Sequence, residues 1–261
     1  AFQWIGREAS EAGADDAEQL REALATIEEP ELWLVLIGHG TFDTRQVKFN
    51  LRGPDVTDRQ IAAWVEAYDG RLSVINTASA SGSFIERLAG PDRVVITATK
   101  NELEIYYTRF GNYFVEAIAG LDEADLDNDD QVSLLEAFLY SADQVATWYD
   151  GEDRLATEHA LLEDSGDGLG SRSEWFEGVT PTRTPGEDKG PDGERAAQRV
   201  LVKNAFERRL TPDQRTRRDA LEREVKSLRR QRDEIDEEVY YRELEEVLLE
   251  LGRLYEKVGD S

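Results

Sequence analysis

The chain has 261 residues and a net charge of −25, and it contains neither cysteine nor methionine. This length suits one well-packed core plus a smaller appendage. Disulfides and thiolate metal sites are excluded, and no apolar run is long enough to span a membrane. Residues 1–195 carry 40 acidic against 16 basic side chains. We therefore expect no nucleic-acid or membrane partner. The acidic surface indicates either a preference for basic peptides or metal ions, or simply solubility.

Strands and helices alternate in the predicted pattern of residues 16–119. Apolar runs predict strands at 32–37, 47–51, 72–76 and 93–98, while helical spacing predicts helices at 16–27, 57–68, 83–88 and 110–119. This order, with short connections, predicts an α/β fold with a parallel sheet and helices on both faces. The unalternating run 32–37 is expected to be covered on both faces.

A linker and a helical appendage follow in the predicted pattern. Residues 181–200 combine proline, glycine and charge, which predicts a linker between a domain over 1–180 and a segment over 201–261. Thr211 and Pro212 predict a helix start. Apolar residues in steps of four and three continue to Val258, which predicts a C-terminal helical hairpin that turns at 231–235. Its seam is expected to pack on the α/β domain, or alternatively to mediate self-association or bind a partner.

The sharpest local signal is the acidic segment 125–136. Its oxygen-bearing residues have the spacing of an EF-hand calcium loop, and the predicted ligands are Asp125, Asp127, Asp129, Gln131 (through its backbone carbonyl), Ser133 and Glu136. Asp130 replaces the usual glycine at position 6, but aspartate tolerates the left-handed conformation better than most residues. These carboxylates repel one another without a cation, so we predict Ca²⁺ here. The alternative is an acidic surface turn.

Segment 163–174 repeats this spacing with weaker residues at its first and third positions. The predicted Ca²⁺ ligands are Glu163, Ser165, Asp167, Leu169 (through its backbone carbonyl) and Glu174. A glycine-rich surface turn stays open as the alternative. His159 lies just upstream in the sequence LATEHALLED, which is predicted to be helical, and no transition-metal ligands surround it. We expect a structural or surface role for this histidine.

Two predicted strands end at residues that suit a nucleophile–base pair. His39 follows strand 32–37 between two glycines, and Ser79 and Ser81 follow strand 72–76 beside Gly82. Reactive side chains gather at the carboxyl ends of neighbouring parallel strands. A histidine close to a hydroxyl is a typical arrangement for nucleophilic catalysis.

These motifs resemble those of the caspase and legumain group of cysteine peptidases. The family has His-Gly after one strand and Ala-Cys-x-Ser-Gly after the next, and this chain has His39-Gly40 and then Ala-Ser-Ala-Ser-Gly over 78–82. Ser79 stands where the family has its cysteine. The resemblance covers 32–119 in the order of elements and implies a caspase-like sheet with two further strands before the histidine strand. Residues 1–30 offer no counterpart, so we expect the natural protein to extend upstream.

The resemblance also implies roles for these residues. His39 would act as the base, and the amides of Gly40 and Ser79 would hold the oxyanion. A serine hydroxyl needs a well-oriented base, and no orienting third residue is evident. Ser79 therefore indicates a genuine serine variant, a natural pseudo-enzyme or an engineered inactive form. A register shifted by one would put Ala80 at the cysteine position, but the gapless Ser-Gly match favours Ser79.

Peptide-bond hydrolysis is the expected ancestral activity, with Ser79 as nucleophile. Because serine replaces cysteine without a visible orienting acid, we expect the activity of this chain against simple peptides to be weak or absent. The alternatives are a binding module that keeps the groove for a peptide or protein without the reaction, and a chain whose helical hairpin carries the function. Candidate acidic lining for a basic substrate side chain is Asp43, Glu102 and Glu104. The calcium loops and the absence of cysteine favour an extracytoplasmic location.

Overall fold

The computed structural model describes residues 2–6, 15–186 and 190–259. The chain divides into two units, Ala1–Leu201 and Val202–Ser261. The boundary falls after the segment that the sequence predicts as a linker.

The first unit contains all of the strands among the described residues. They are β1 (Glu31–Leu36), β2 (Gly40–Phe42), β3 (Val47–Phe49), β4 (Val56–Thr57), β5 (Arg71–Asn76), β6 (Arg93–Thr97), β7 (Leu161–Glu163), β8 (Phe176–Glu177) and β9 (Thr180–Pro181). Its α-helices are α1 (Asp16–Ala25), α2 (Asp58–Trp64), α3 (Phe84–Leu88), α4 (Phe110–Ile118) and α5 (Leu134–Gly151). Each predicted strand and helix between 16 and 119 is therefore present, with bounds shifted by a few residues.

A four-stranded sheet in the order β1-β5-β6-β7 forms the centre of this unit. β1, β5 and β6 are parallel, and β7 pairs antiparallel with β6. Ile75 and Ile96 face the core formed with α4 and α5, whereas Val74 and Val95 face the core that includes α2 and α3. The predicted α/β fold with a mostly parallel sheet between helices is confirmed.

The edge strand β1 differs from the sequence expectation. Val35 is 42% exposed and Ile37, just beyond the strand, is 58% exposed, so β1 is not covered on both faces as predicted. A small antiparallel sheet, β2-β3-β4, follows it directly. Thr57 caps α2 in a capping box with Gln60.

The region before β7 was wrongly predicted to be helical. α5 ends at Gly151, His159 lies outside any helix or strand, and Leu161–Glu163 forms β7. The apolar residues of this segment serve the sheet instead, because Leu162 is completely buried against β6. The short pairing strand has no periodic signal that distinguishes it from a helical turn.

The predicted linker 181–200 is partly packed into the first unit. Asp192, Ala196 and Arg199 are at most 1% exposed. Arg199 donates a hydrogen bond to the carbonyl of Asp92 at 2.9 Å. The domain 1–180 therefore extends to Leu201, and the proline-rich composition does not mark a free linker.

The second unit contains the predicted helical hairpin. α6 (Pro212–Arg230) begins at the cap Thr211, and α7 (Glu237–Gly259) returns after a short turn. The apolar seam is buried between the two helices themselves, with Leu221, Val225, Leu228, Tyr240 and Val247 in its core.

Candidate active site and acidic loops

His39 and Ser79 line the same cleft at the carboxyl ends of β1 and β5. The two strands pair in register up to Leu36 and Asn76, and the chain then leaves each strand toward the cleft. This cleft has a volume of about 600 Å³. Strand order therefore brings the two predicted residues to one site.

The backbone of Gly40 lies directly against Ser79. The Ser79 hydroxyl donates a hydrogen bond to the carbonyl of Gly40 at 3.0 Å. A Cβ atom at position 40 would lie only 2.0 Å from the carbonyl oxygen of Ser79, which is far inside van der Waals contact. Only glycine fits here, so the His-Gly motif has a steric reason.

The rest of the serine motif is held in place by residues 99–101. Thr99 Oγ1 accepts hydrogen bonds from the amides of Ser81 and Gly82 at 2.7 and 3.2 Å. A Cβ at Gly82 would lie 2.3 Å from the Asn101 nitrogen. Ala80 has a left-handed φ of +54° and is completely buried. Ser79 lines the cleft, and Ala80 does not, so the unshifted register fits the geometry better.

The opposite wall of the cleft comes from the start of α4. The hydroxyl of Thr108 donates to the carbonyl of Thr77 at 2.6 Å, and a Cβ at Gly111 would lie 2.8 Å from the Thr77 side chain. Glu158 is 2% exposed and accepts bonds from the amides of Arg109 and Phe110. These contacts fix the wall on the end of β5. No sequence signal marked α4 as part of the site.

The imidazole of His39 is exposed and has no hydrogen-bond partner among the described residues. Within the part of the chain that the structure describes, no carboxylate is hydrogen-bonded to this imidazole. The hydroxyl of Ser79 is bonded to the Gly40 carbonyl rather than to this imidazole. Catalysis would therefore require the Ser79 side chain to rotate toward His39. Hydrogen bonds between catalytic groups are often long or poorly aligned before substrate binds.

The predicted acidic lining lies elsewhere. None of Asp43, Glu102 and Glu104 lines the cleft. Glu104 instead bonds to His159 Nδ1 at 2.5 Å and to Lys100 Nζ at 3.3 Å. The cleft is lined by Glu116 and by three exposed apolar residues: Ile37, Tyr107 and Val115.

The loop 125–136 brings three of its predicted ligands close together. One carboxylate oxygen each of Asp125, Asp127 and Glu136 lies within 4.8 Å of the others. The Asp125 carboxylate accepts bonds from the amides of Asp129 and Asp130. Asp130 has a φ of +64°, so the aspartate at position 6 does take the left-handed conformation.

Helix α5 begins directly at the end of this loop. Ser133 caps the helix through the Glu136 amide, and Glu136 accepts from the Ser133 amide in return. Burial, followed by the charges of Glu136, Asp129 and Asp125, raises the pKa of Asp127 to about 6. Carboxylates held this close favour either a proton or a cation. Gln131 and Asp129, also predicted as ligands, bond to each other at the exposed tip.

The second loop has related backbone geometry without an EF-hand frame. Gly166 and Gly168 have positive φ values, at the same loop positions as Asn128 and Asp130. However, the loop follows strand β7 and is not preceded by a helix. Glu174 is exposed in the short 3₁₀ helix Ser173–Trp175. Glu174 therefore does not take the position in this loop that Glu136 has in the first loop.

Two buried acids that sequence reasoning missed hold this second loop. Asp192 accepts from the amides of Asp164 and Ser165 and from the Ser171 hydroxyl. Asp164 accepts from the amides of Gly193, Arg195 and Ala196. Burial raises the pKa of Asp192 to about 7. Nothing in the sequence joins these acids, because Asp192 lies in the stretch read as a linker.

Comparison with known proteins gives no match: no family model, no curated protein and no solved structure matches this chain. Within the described residues, no helix is both long and apolar enough to cross a membrane.

Proposed function

We propose that this chain is a caspase/legumain-like domain that hydrolyses peptide bonds at the cleft of His39 and Ser79. The observation that carries this proposal is that both residues line one cleft at the ends of adjacent parallel strands. The exposed apolar rim of Ile37, Tyr107 and Val115 suits a peptide or protein ligand.

In this mechanism Ser79 Oγ attacks the substrate carbonyl carbon while His39 takes the hydroxyl proton. His39 then returns the proton to the leaving amine, and water hydrolyses the acyl-enzyme by the same route. The resemblance assigns the oxyanion to the amides of Gly40 and Ser79. Preorganised amide donors are usually the largest electrostatic contribution to acyl transfer.

The second candidate is a binding module that keeps the cleft and has lost the reaction. The hydrogen bond from the Ser79 hydroxyl to the Gly40 carbonyl favours it, as does the absence of a carboxylate on His39 among the described residues. In this case peptides bind at the same rim and are released unchanged.

Incubation with a peptide library and a serine-reactive phosphonate separates the two candidates. Hydrolysis predicts cleavage and phosphonate labelling that are lost in Ser79→Ala and in His39→Ala. Saturable peptide binding without cleavage, kept in Ser79→Ala, would favour the binding module. Neither binding nor cleavage by any of the three proteins would remove both candidates.

We also propose that the loop 125–136 binds Ca²⁺ and stabilises the first unit. Three carboxylate oxygens within 4.8 Å support this, because hard oxygen ligands are those that calcium prefers. This site lies on the segment that leads into α5, so its role is structural rather than catalytic.

A further inference from the structure

Two buried carboxylate oxygens in the second loop accept no hydrogen bond of good geometry from the described residues. Glu163, the last residue of β7, is completely buried. Its Oε1 accepts bonds from the amides of Gly166 and Asp167 at 2.5 and 3.0 Å. Its Oε2 and the Oδ2 of Asp167 have no hydrogen-bond partner among the described residues. Each ionised oxygen buried without a partner destabilises the folded chain unless something else binds it.

The neighbouring groups do not satisfy these two oxygens. The carboxylates of Asp164 and Asp192 are acidic themselves, and amides and the Ser171 hydroxyl already occupy them. The cationic side chain in contact with this cluster is Arg195, whose guanidinium donates to the backbone carbonyl of Asp164. Arg195 therefore donates to a backbone carbonyl and not to Glu163 Oε2 or Asp167 Oδ2.

We propose that Glu163 Oε2 and Asp167 Oδ2 bind a second hard divalent cation, calcium, at the edge of the central sheet. The left-handed residues Gly166 and Gly168 wrap the loop around the end of β7. Calcium accepts six to eight oxygen ligands with flexible geometry, so backbone carbonyls and water complete its shell. Glu174 takes no part, because it is exposed on the following 3₁₀ helix. This ligand set differs from that of an EF-hand.

A bound cation here would also secure the loop's attachments. Asp164, directly after Glu163, accepts the amides of residues 193, 195 and 196. The cation would therefore help to fix both β7 and the segment 192–196 that packs against it. This proposal is independent of hydrolysis at Ser79, whereas the ion counts expected below include the calcium proposed for the loop 125–136.

Calorimetric titration of the calcium-stripped full chain with CaCl₂ tests the proposal. The wild type should bind two calcium ions per chain. Glu163→Gln keeps one oxygen that can accept hydrogen bonds from the loop amides, but it replaces the second oxygen with an amide NH₂ group. This variant should therefore bind one ion. Asp167→Asn should likewise bind one. Glu174→Gln is the matched control and should still bind two.

Asp125→Asn removes a carboxylate ligand from the loop 125–136. This variant should therefore also bind one ion, the one at the new site. Two ions bound by both Glu163→Gln and Asp167→Asn would overturn the proposal while leaving the first loop intact. Loss of an ion in Glu174→Gln would overturn this ligand set in favour of an EF-hand arrangement. If Glu163→Gln does not fold, as judged by circular dichroism, the partly exposed Asp167→Asn decides the outcome alone.

Discussion

The amide of Asp127 donates a hydrogen bond to the carboxylate of Glu136 at 3.2 Å, so the last residue of the acidic loop closes back on its third. The same Glu136 oxygen accepts from the Leu126 amide at 2.8 Å. Glu136 is 3% exposed. The loop is thus preformed around its deepest carboxylate, and the consequences for metal binding and for pH can be measured.

Calcium should raise the melting temperature of the wild type through the loop 125–136. At a calcium concentration 100 times the dissociation constant, the stabilisation from one site is about 2.7 kcal/mol. The double variant Asp125→Ala/Glu136→Gln should lose this part of the shift. The exposed Asp122→Asn, just before the loop, is the control for loss of one charge and should keep it. Equal calcium shifts in the wild type and the double variant would contradict the site.

The calcium-free protein should become less stable as the pH rises from 5 to 7. Burial raises the pKa of Asp127 to about 6 and that of Asp192 to about 7. The folded chain therefore binds more protons than the unfolded chain in this range, and the free energy of unfolding falls with pH. Asp127 is exposed, so solvent screening weakens its share of this effect.

Calcium should offset this trend, since its carboxylate ligands bind in the ionised form. Urea denaturation at pH 5, 6 and 7, with chelator and with calcium, measures both effects. In chelator, Asp192→Asn should reduce the change in the free energy of unfolding between pH 6 and pH 7. A free energy of unfolding that rises with pH in chelator would show that Asp127 and Asp192 do not dominate the pH dependence of stability.

Gly40→Ala should destabilise the first unit and abolish function at the cleft. The new methyl group would clash with the Ser79 carbonyl oxygen at 2.0 Å, and overpacking of this kind costs about 1–3 kcal/mol. Gly151→Ala, at the end of α5 with no atom near its added Cβ, is the control and should keep wild-type stability or gain slightly. Thermal denaturation of both variants measures the difference. Equal melting temperatures would mean that the loop at 40 is free to move away.

Ser79→Cys should raise any peptidase activity above that of the wild type. A few per cent of a cysteine thiol is ionised at neutral pH, so it depends less on an oriented histidine than a hydroxyl does. Turnover of the best library peptide is the measurement. Ser81→Cys is the control, because Ser81 is 1% exposed and packs on Thr99, so it should add no activity. A Ser79→Cys protein as inactive as Ser79→Ala would favour the binding module.

Arg199→Ala should lower the stability of the first unit by about 1–3 kcal/mol. Its buried guanidinium donates to the Asp92 carbonyl and lies 3.7 Å from the Glu31 carboxylate. Arg183→Ala, an exposed site in the same proline-rich segment, should change stability by less than about 0.5 kcal/mol. Chemical denaturation of the two variants tests whether the segment is part of the fold. Equal loss in both would contradict this.

The sequence predicted the parts of this molecule that repeat a period or a fixed spacing. The strands before His39 and Ser79 and the seam ending at Val258 follow such patterns. In contrast, β7 is three residues long, and its place beside β6 depends on contacts across more than one helix. The role of Asp192 could not be predicted for a similar reason, because its partners Asp164 and Ser171 come from another part of the chain.

The antiparallel β7 also bears on how the chain folds. β6 ends at Thr97 and β7 begins at Leu161, with α4 and α5 between them. Closing so long a segment is entropically unfavourable, and pairs of this kind form slowly. β1, β5 and β6 have shorter connections, so we expect them to pair earlier and to leave the outer edge of β6 unpaired during refolding. We expect such an open apolar edge to expose newly synthesised chains to intermolecular strand pairing and aggregation.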